Sequence, residues 1–171
     1  MGTTKWVIDP THSEVTFKVK HMMISSLTGH FKEFKSEIET SNDEFTDATF
    51  STEIQVDSIQ TKNEDRDTHL KSEEFFGAEE FPLITFKSTE FKGDKLTGDL
   101  TIKGITKSIT FDTDFNGVAL DPYGQTKAGF EFEANINRKE FGLTWSAVTE
   151  AGNIVVSDKI KLIVEAQFIK Q

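Results

Sequence analysis

The chain has 171 residues, of which 16 are Phe and none is Cys, and its formal net charge is −10. The negative charge argues against a nucleic-acid-binding protein and against electrostatic docking on anionic membranes, and the lack of Cys excludes disulfides, thiolate catalysis and thiolate metal sites. No apolar run approaches the roughly 18 residues of a membrane span and no secretory signal is visible, so we expect a cytoplasmic protein, or a periplasmic one if a signal peptide has been removed.

Alternation of apolar and polar residues with period two predicts eight strands. Turn signals separate them, such as Lys92-Gly93-Asp94, Lys103-Gly104 and Asn116-Gly117. The apolar faces run, in chain order, over Val15–Val19, Phe34–Ile38, Ala48–Val56, Ile84–Ser88, Leu96–Ile102, Ile109–Phe115, Ala128–Ile136 and Ile160–Phe168.

One segment between the third and fourth strands has helix chemistry instead. Thr61 and Glu64 fit a capping box, and Asp67 and Lys71 are spaced for an i,i+4 ion pair. These signals predict a single short α-helix in the connection after strand 3.

Eight antiparallel strands with one solvent-exposed and one buried face predict an all-β fold, with residues 1–171 forming one domain. A closed barrel removes the exposed strand edges, and several runs exceed the usual ~5–6 residues. These features favour an eight-stranded antiparallel β-barrel, and a β-sandwich is the competing architecture.

Alternation also assigns nine of the sixteen Phe to the inward face. Two interpretations remain open: the rings fill the core, or they line a cavity for an apolar ligand. Small inward residues at 36, 48, 98, 128 and 134 leave space between the rings. The inward rings are Phe17, Phe34, Phe50, Phe86, Phe111, Phe115, Phe130, Phe132 and Phe168.

The candidate polar site lies on the predicted helix, where Arg66 and His69 share the face of Leu70. At the mouth of a barrel these side chains would offer donors to a phosphate, carbonyl or carboxylate head group. A salt bridge between helix and barrel is the alternative. No catalytic motif is present, and we predict neither catalytic residues nor a metal site.

The sequence resembles the YceI-like family, whose members are lipid- or polyisoprenoid-binding proteins. Six ordered blocks carry the resemblance and together span nearly the whole chain. They are WVIDPTHSEVTFKVKH from Trp6, LTGHF from Leu27, DSIQTKNEDRDTHLKSEEFF from Asp57, FPLITFKST from Phe81, GDLTIKGIT from Gly98 and INRKEFGL from Ile136.

This resemblance implies a lipocalin-like barrel whose elongated apolar cavity binds an isoprenoid, polyisoprenoid (quinone-like) or fatty amphiphilic lipid without catalysis, for storage or transport. It implies no cofactor beyond such a lipid, and it leads us to expect transient membrane contact and a homodimer. The alternatives are an enzyme acting on a lipid head group near Arg66 and His69, and a ligand-free structural or stress-response protein. The expected ligand-binding residues are Phe17, Val19, Phe34, Ile38, Phe50, Ile54, Arg66, His69, Phe86, Leu100, Phe111, Phe130, Phe132 and Phe168.

Overall fold

The computed structural model describes residues 2–21, 24–143 and 156–171. These residues form eleven antiparallel strands in one sheet, one α-helix and three short 3-10 helices. The strands are β1 Thr4–Ile8, β2 Glu14–His21, β3 Ser25–Phe31, β4 Phe34–Thr40, β5 Thr49–Gln55, β6 Ile59–Gln60, β7 Leu83–Lys92, β8 Lys95–Ile102, β9 Ile105–Leu120, β10 Thr126–Asn137 and β11 Val156–Lys170. The helices are α1 Glu64–Lys71 and the 3-10 turns Pro10–His12, Val56–Ser58 and Arg138–Phe141.

The eleven strands follow eight paths around a closed barrel. Three paths are bent: β1 continues into β2, β3 into β4, and β5 into β6. Each path pairs with the next in sequence, and β11 returns to pair with both β1 and β2. The predicted eight-stranded antiparallel barrel is therefore confirmed, and α1 lies in the predicted connection after the third path.

A cluster of polar and charged groups around the buried Asp9 holds the bend between β1 and β2. The Asp9 carboxylate accepts hydrogen bonds from the Thr11 backbone amide (3.1 Å), the Lys127 ammonium (2.9 Å) and the His12 ring (2.7 Å). Burial by itself raises the pKa of Asp9, but the hydrogen bonds from Lys127, Thr11 and His12 outweigh it and hold the pKa well below its ordinary value. Asp9 is therefore an anion at neutral pH and ties the bend to β10.

Strand β9 contains an irregularity where the sequence predicts a turn. Gly117 lies opposite Gly129 and Phe115 opposite Phe130, so Asn116 is an extra residue in the ladder. Gly117 adopts a φ of 103° that favours glycine. The predicted turn at Asn116-Gly117 is wrong because a β-bulge uses the same residue types as a tight turn.

Helix α1 begins differently from the predicted capping box. Its N-cap is Asn63, whose side chain accepts from the Arg66 amide. Thr61 instead donates to Asp67 at 2.5 Å, and Lys71 pairs with Asp57 at 3.5 Å.

Within the described ranges, no helix is long and apolar enough to cross a membrane.

The interior of the barrel is filled at one end, which we call the closed end and define by Trp6, Ile38, Phe45 and Phe130. All four side chains are at most 1% exposed. The Phe45 ring, from the loop between β4 and β5, lies 5.0 Å from the Trp6 ring and 5.2 Å from that of Phe130. The first contact is tilted and the second is edge-to-face, and together they fill this end of the barrel.

The loop that carries Phe45 is fixed by its own polar side chains. Asp47 accepts from the Thr40 hydroxyl (2.8 Å) and the Ser41 amide (2.9 Å). Hydrogen bonding by Ser41, and then by Thr40, lowers the pKa of Asp47 to about 2. These bonds hold Phe45 in place although its backbone lies at a φ of 61°, which is unfavourable for a non-glycine residue.

Candidate functional site

The other end of the barrel encloses a predominantly apolar cavity of about 280 Å³, which we call the hollow end. Its floor is formed by Phe50, Phe132 and Phe168, whose ring centroids lie 5.6–5.8 Å from that of Phe130. Phe130 does not itself line the cavity. The volume is close to the lower bound of small-molecule sites, roughly 300 Å³, so the cavity suits one slender ligand.

Two strand glycines at the hollow end leave room for neighbouring rings to lie over them. A Cβ atom added at Gly29 would lie 2.1 Å from the Phe17 ring, and one added at Gly98 would lie 2.6 Å from the Phe86 ring. Each ring thus covers a strand glycine, a recurrent cross-strand arrangement. The rings lie along the wall instead of projecting across the lumen, so the cavity stays open.

The structure brings together twelve of the fourteen residues that the sequence predicts as ligand-binding. Ile38 and Phe130 do not join them, because both are packed into the closed end beneath the floor. The twelve that line the cavity are Phe17, Val19, Phe34, Phe50, Ile54, Arg66, His69, Phe86, Leu100, Phe111, Phe132 and Phe168.

The predicted polar site on α1 lies in the cavity wall, and its groups are bonded within the protein. The Arg66 guanidinium donates from Nε to the Thr61 hydroxyl (2.8 Å) and from its terminal nitrogen to the Thr61 carbonyl (2.5 Å). His69 Nε2 lies 2.6 Å from the Glu74 carboxylate, and its ring stands edge-on to Phe75. These bonds join α1 to the loop before it and to the turn after it. We call the part of the cavity that Arg66 and His69 line its mouth.

Arg138 is a cavity-lining cation that the site prediction missed. Its side chain is 1% exposed, and it donates from Nε to the Ser157 carbonyl (3.0 Å) and from a terminal nitrogen to the Leu143 carbonyl (2.5 Å). Burial lowers the pKa of Arg138, and nearby Asp158 counteracts this; arginine still remains charged at neutral pH. The inward alternation of β10 continues from Ile136 to position 138, and this continuation is the signal that could have identified it.

A pair of hydroxyls is a further polar feature of the wall. Ser36 on β4 lies opposite Thr52 on β5, and their hydroxyl oxygens are 2.8 Å apart. Both residues line the cavity. Among the described residues, no cluster of three His, Cys, Asp or Glu side chains could hold a metal ion. The chemistry that the wall offers is therefore apolar contact, hydroxyl hydrogen bonding and the positive charge of Arg66 and Arg138.

The chain matches one known family and individual known proteins over nearly its whole length. Residues 6–168 match the family described as the YceI-like domain. A UPF0312 protein of Staphylococcus epidermidis is 39% identical over 166 residues, covering 96% of this chain and 97% of that protein.

Two solved structures share the fold. The YCEI protein of Campylobacter jejuni has a TM-score of 0.75 at 31% identity, covering 89% of this chain and 90% of that one. A polyisoprenoid binding domain from Saccharophagus degradans has a TM-score of 0.73 at 13% identity, covering 97% and 98%.

Proposed function

This chain belongs to the YceI-like domain family, and from that membership and the cavity we propose that it binds one isoprenoid or fatty amphiphilic lipid non-catalytically, for storage or transport. The hydrocarbon occupies the hollow end and is held by apolar contact. The observation that carries the proposal is the open, ring-lined lumen above the floor of Phe50, Phe132 and Phe168.

The energetics of burial support a hydrocarbon ligand. Each CH₂ group transferred from water into an apolar cavity contributes about 0.8 kcal/mol, so one five-carbon isoprene unit contributes several kcal/mol. That gain opposes the cost of immobilising the ligand without requiring strong polar contacts. We expect discrimination along the hydrocarbon to be weak, because one added or missing methylene at about 0.8 kcal/mol changes affinity by only about fourfold.

The likeness to the Saccharophagus degradans domain, whose description names polyisoprenoids, supports an isoprenoid as the ligand class. The positions of Arg66 and His69 support binding rather than catalysis. The Arg66 guanidinium is bonded to Thr61 and the His69 ring to Glu74, so both serve to fix α1. We infer that a ligand reaching the mouth meets an ordered wall and not a reactive group.

The proposal is tested by stripping the purified protein of lipid and titrating it with farnesol and with palmitic acid while following the melting temperature and native mass. We expect one bound molecule per chain and a rise in melting temperature with ligand concentration. Absence of uptake together with absence of any co-purified lipid contradicts the proposal, and conversion of either probe contradicts the non-catalytic role.

A matched pair of variants on β5 locates the ligand. Ile54→Trp adds bulk inside the lumen, whereas Glu53→Trp adds the same bulk on the outer face of the same strand. We expect Ile54→Trp to abolish uptake and Glu53→Trp to retain it. Equal uptake by both variants would place the ligand outside the barrel.

A further inference from the structure

The hydroxyl pair formed by Ser36 and Thr52 lies in a part of the wall that is otherwise apolar. The two residues are direct register partners on β4 and β5, with hydroxyl oxygens 2.8 Å apart, and Ser36 is only 5% exposed. Along the inward face Ser36 is flanked by Phe34 and Ile38, and Thr52 by Phe50 and Ile54. A hydroxyl in such surroundings needs a hydrogen-bond partner, because burying an unsatisfied hydroxyl is costly.

A count of hydrogens shows what the pair has left to offer. Each hydroxyl has one hydrogen to donate and two lone pairs to accept. One hydrogen forms the bond between Ser36 and Thr52, and within the described part of the chain neither side chain makes a second hydrogen bond. Because both residues line the cavity, the remaining hydrogen can turn toward a ligand oxygen in the lumen and give it a bond that the neighbouring apolar side chains do not supply.

Strand register places this pair close to the floor of the cavity. Thr52 is two residues, about 7 Å of strand, from the floor residue Phe50. Ser36 is equally far from Ile38, which is fully buried in the closed end. A ligand group bonded to the pair is therefore at the deep end of the lumen and not at its mouth.

The charged groups of the wall are carried by other elements. Arg66 and His69 belong to α1, and Arg138 follows β10, six residues beyond the floor residue Phe132. A carboxylate or phosphate beside Ser36 and Thr52 would be a buried anion, and the inward faces of β4 and β5 carry no cation to pair with it, since Lys35 of β4 is exposed on the outer face; such a buried anion is strongly unfavourable. The group that fits the pair is an uncharged oxygen.

We propose that Ser36 and Thr52 form a subsite for an uncharged oxygen of the ligand, as a hydroxyl, carbonyl or ether, so that the ligand enters oxygen first and its hydrocarbon extends toward the mouth. This subsite rests on the proposed lipid-binding function and adds to it the polarity and the direction of the ligand.

The test compares farnesol with farnesene, two fifteen-carbon isoprenoids of which only the first carries oxygen. The variant S36A/T52V removes both hydroxyls with little change in volume. We expect it to weaken farnesol binding about five- to tenfold more than farnesene binding, as for the loss of one hydrogen bond with its desolvated partner. Thr52→Ser keeps the hydroxyl and should retain the wild-type ratio of the two affinities.

The control is a similar cross-strand pair on the outer face, Thr97 and Thr110, with hydroxyl oxygens 2.9 Å apart and exposed. Thr97→Val should leave both affinities unchanged. An unaltered ratio in S36A/T52V, with both probes still bound, overturns the subsite alone. Failure of wild-type protein to bind either probe overturns the subsite, and it overturns the proposed function as well if palmitic acid is not taken up and no lipid co-purifies.

The direction of entry has its own readout. A nitroxide attached at the hydrocarbon end of a prenyl ketone should be tolerated, whereas the same group attached beside the ketone oxygen should prevent binding. Equal binding of the two labelled probes overturns the oxygen-first orientation.

Discussion

Phe rings occur at both the closed end and the hollow end of the barrel, but they fill the first and leave a cavity in the second. At the closed end Phe45 enters from a loop and packs against Trp6 and Phe130. At the hollow end the Phe17 and Phe86 rings lie over glycines. The number of rings therefore does not decide whether a barrel is filled. The residues beside the rings decide it, by setting whether a ring points across the barrel or along its wall.

This contrast also separates stability from binding. A ring at the closed end is contacted on every side, whereas a ring at the hollow end loses contacts on the side that faces the lumen. The free energy of unfolding should depend most on the first group of residues, and ligand affinity on the second. The following changes test that division, beginning with the largest expected effect.

Truncating one ring at each end compares them directly. Phe130→Ala should lower the free energy of unfolding by about 3–5 kcal/mol, the usual loss for a fully packed ring. Phe34→Ala, at a half-buried position beside the lumen, should cost clearly less while weakening ligand binding. Urea unfolding measures the free energy of unfolding of both variants, and equal losses would remove the distinction between the ends.

The Asp9 cluster fixes the bend between β1 and β2 and ties it to β10. Asp9→Asn weakens the pairing of Lys127 and should cost about 1–3 kcal/mol at neutral pH. Because folding lowers the pKa of Asp9, the stabilisation is present above its unfolded value, near 3.8, and is lost as the pH falls through the lower folded value. Wild-type stability should fall on acidification below about pH 4 more steeply than that of the variant. Parallel pH profiles would show that Asp9 does not contribute in this way.

Gly29→Ala tests the Phe17 ring at the hollow end. The new methyl group conflicts with the Phe17 ring and should turn it into the lumen, at a cost in stability of about 1–3 kcal/mol. Probe affinity should fall severalfold. The double variant Gly29→Ala/Phe17→Leu makes room for the methyl group and should restore part of the affinity. Unchanged affinity in the single variant would mean that the Phe17 ring does not border the bound ligand.

The smallest effect is expected from Asp47→Ala in the exposed loop that carries Phe45. Loss of the carboxylate removes the acceptor of the Ser41 amide, so hydrogen exchange at that amide should accelerate. Ligand affinity should stay at the wild-type value, because the loop lies beyond the floor of the cavity. A change in affinity would show that the two ends are coupled.

The sequence predicts the eight strand paths and the position of the helix because both depend on local periodicity. The three bends are not predicted. The bend at Asp9 depends on Lys127, which is distant in sequence, and the bend between β3 and β4 is fixed by a bond from the Lys32 amide to the Ser58 carbonyl. Contacts of this kind leave no periodic signal in either strand.

The candidate site is likewise predicted from the sequence only in part. Alternation assigns side chains to the inward face and finds most of the cavity wall. It does not distinguish Phe130 from Phe132. Both face the interior from the same strand, but Phe130 lies beneath the floor of the cavity and Phe132 forms part of that floor. The difference depends on Phe45, a loop residue whose insertion no alternation pattern indicates.

The barrel is closed by pairing its first strand with its last, Trp6 opposite Lys170 and Ile8 opposite Phe168. Contacts so distant in sequence are the slowest to form, because the entropy of closing the intervening chain must be overcome first. Ile8 and Phe168 also line the cavity, so the lumen has no complete wall until this seam has formed. Lipid uptake during refolding should therefore follow the last kinetic phase instead of growing with secondary structure, and the protein acquires its ligand-binding capacity in one late step.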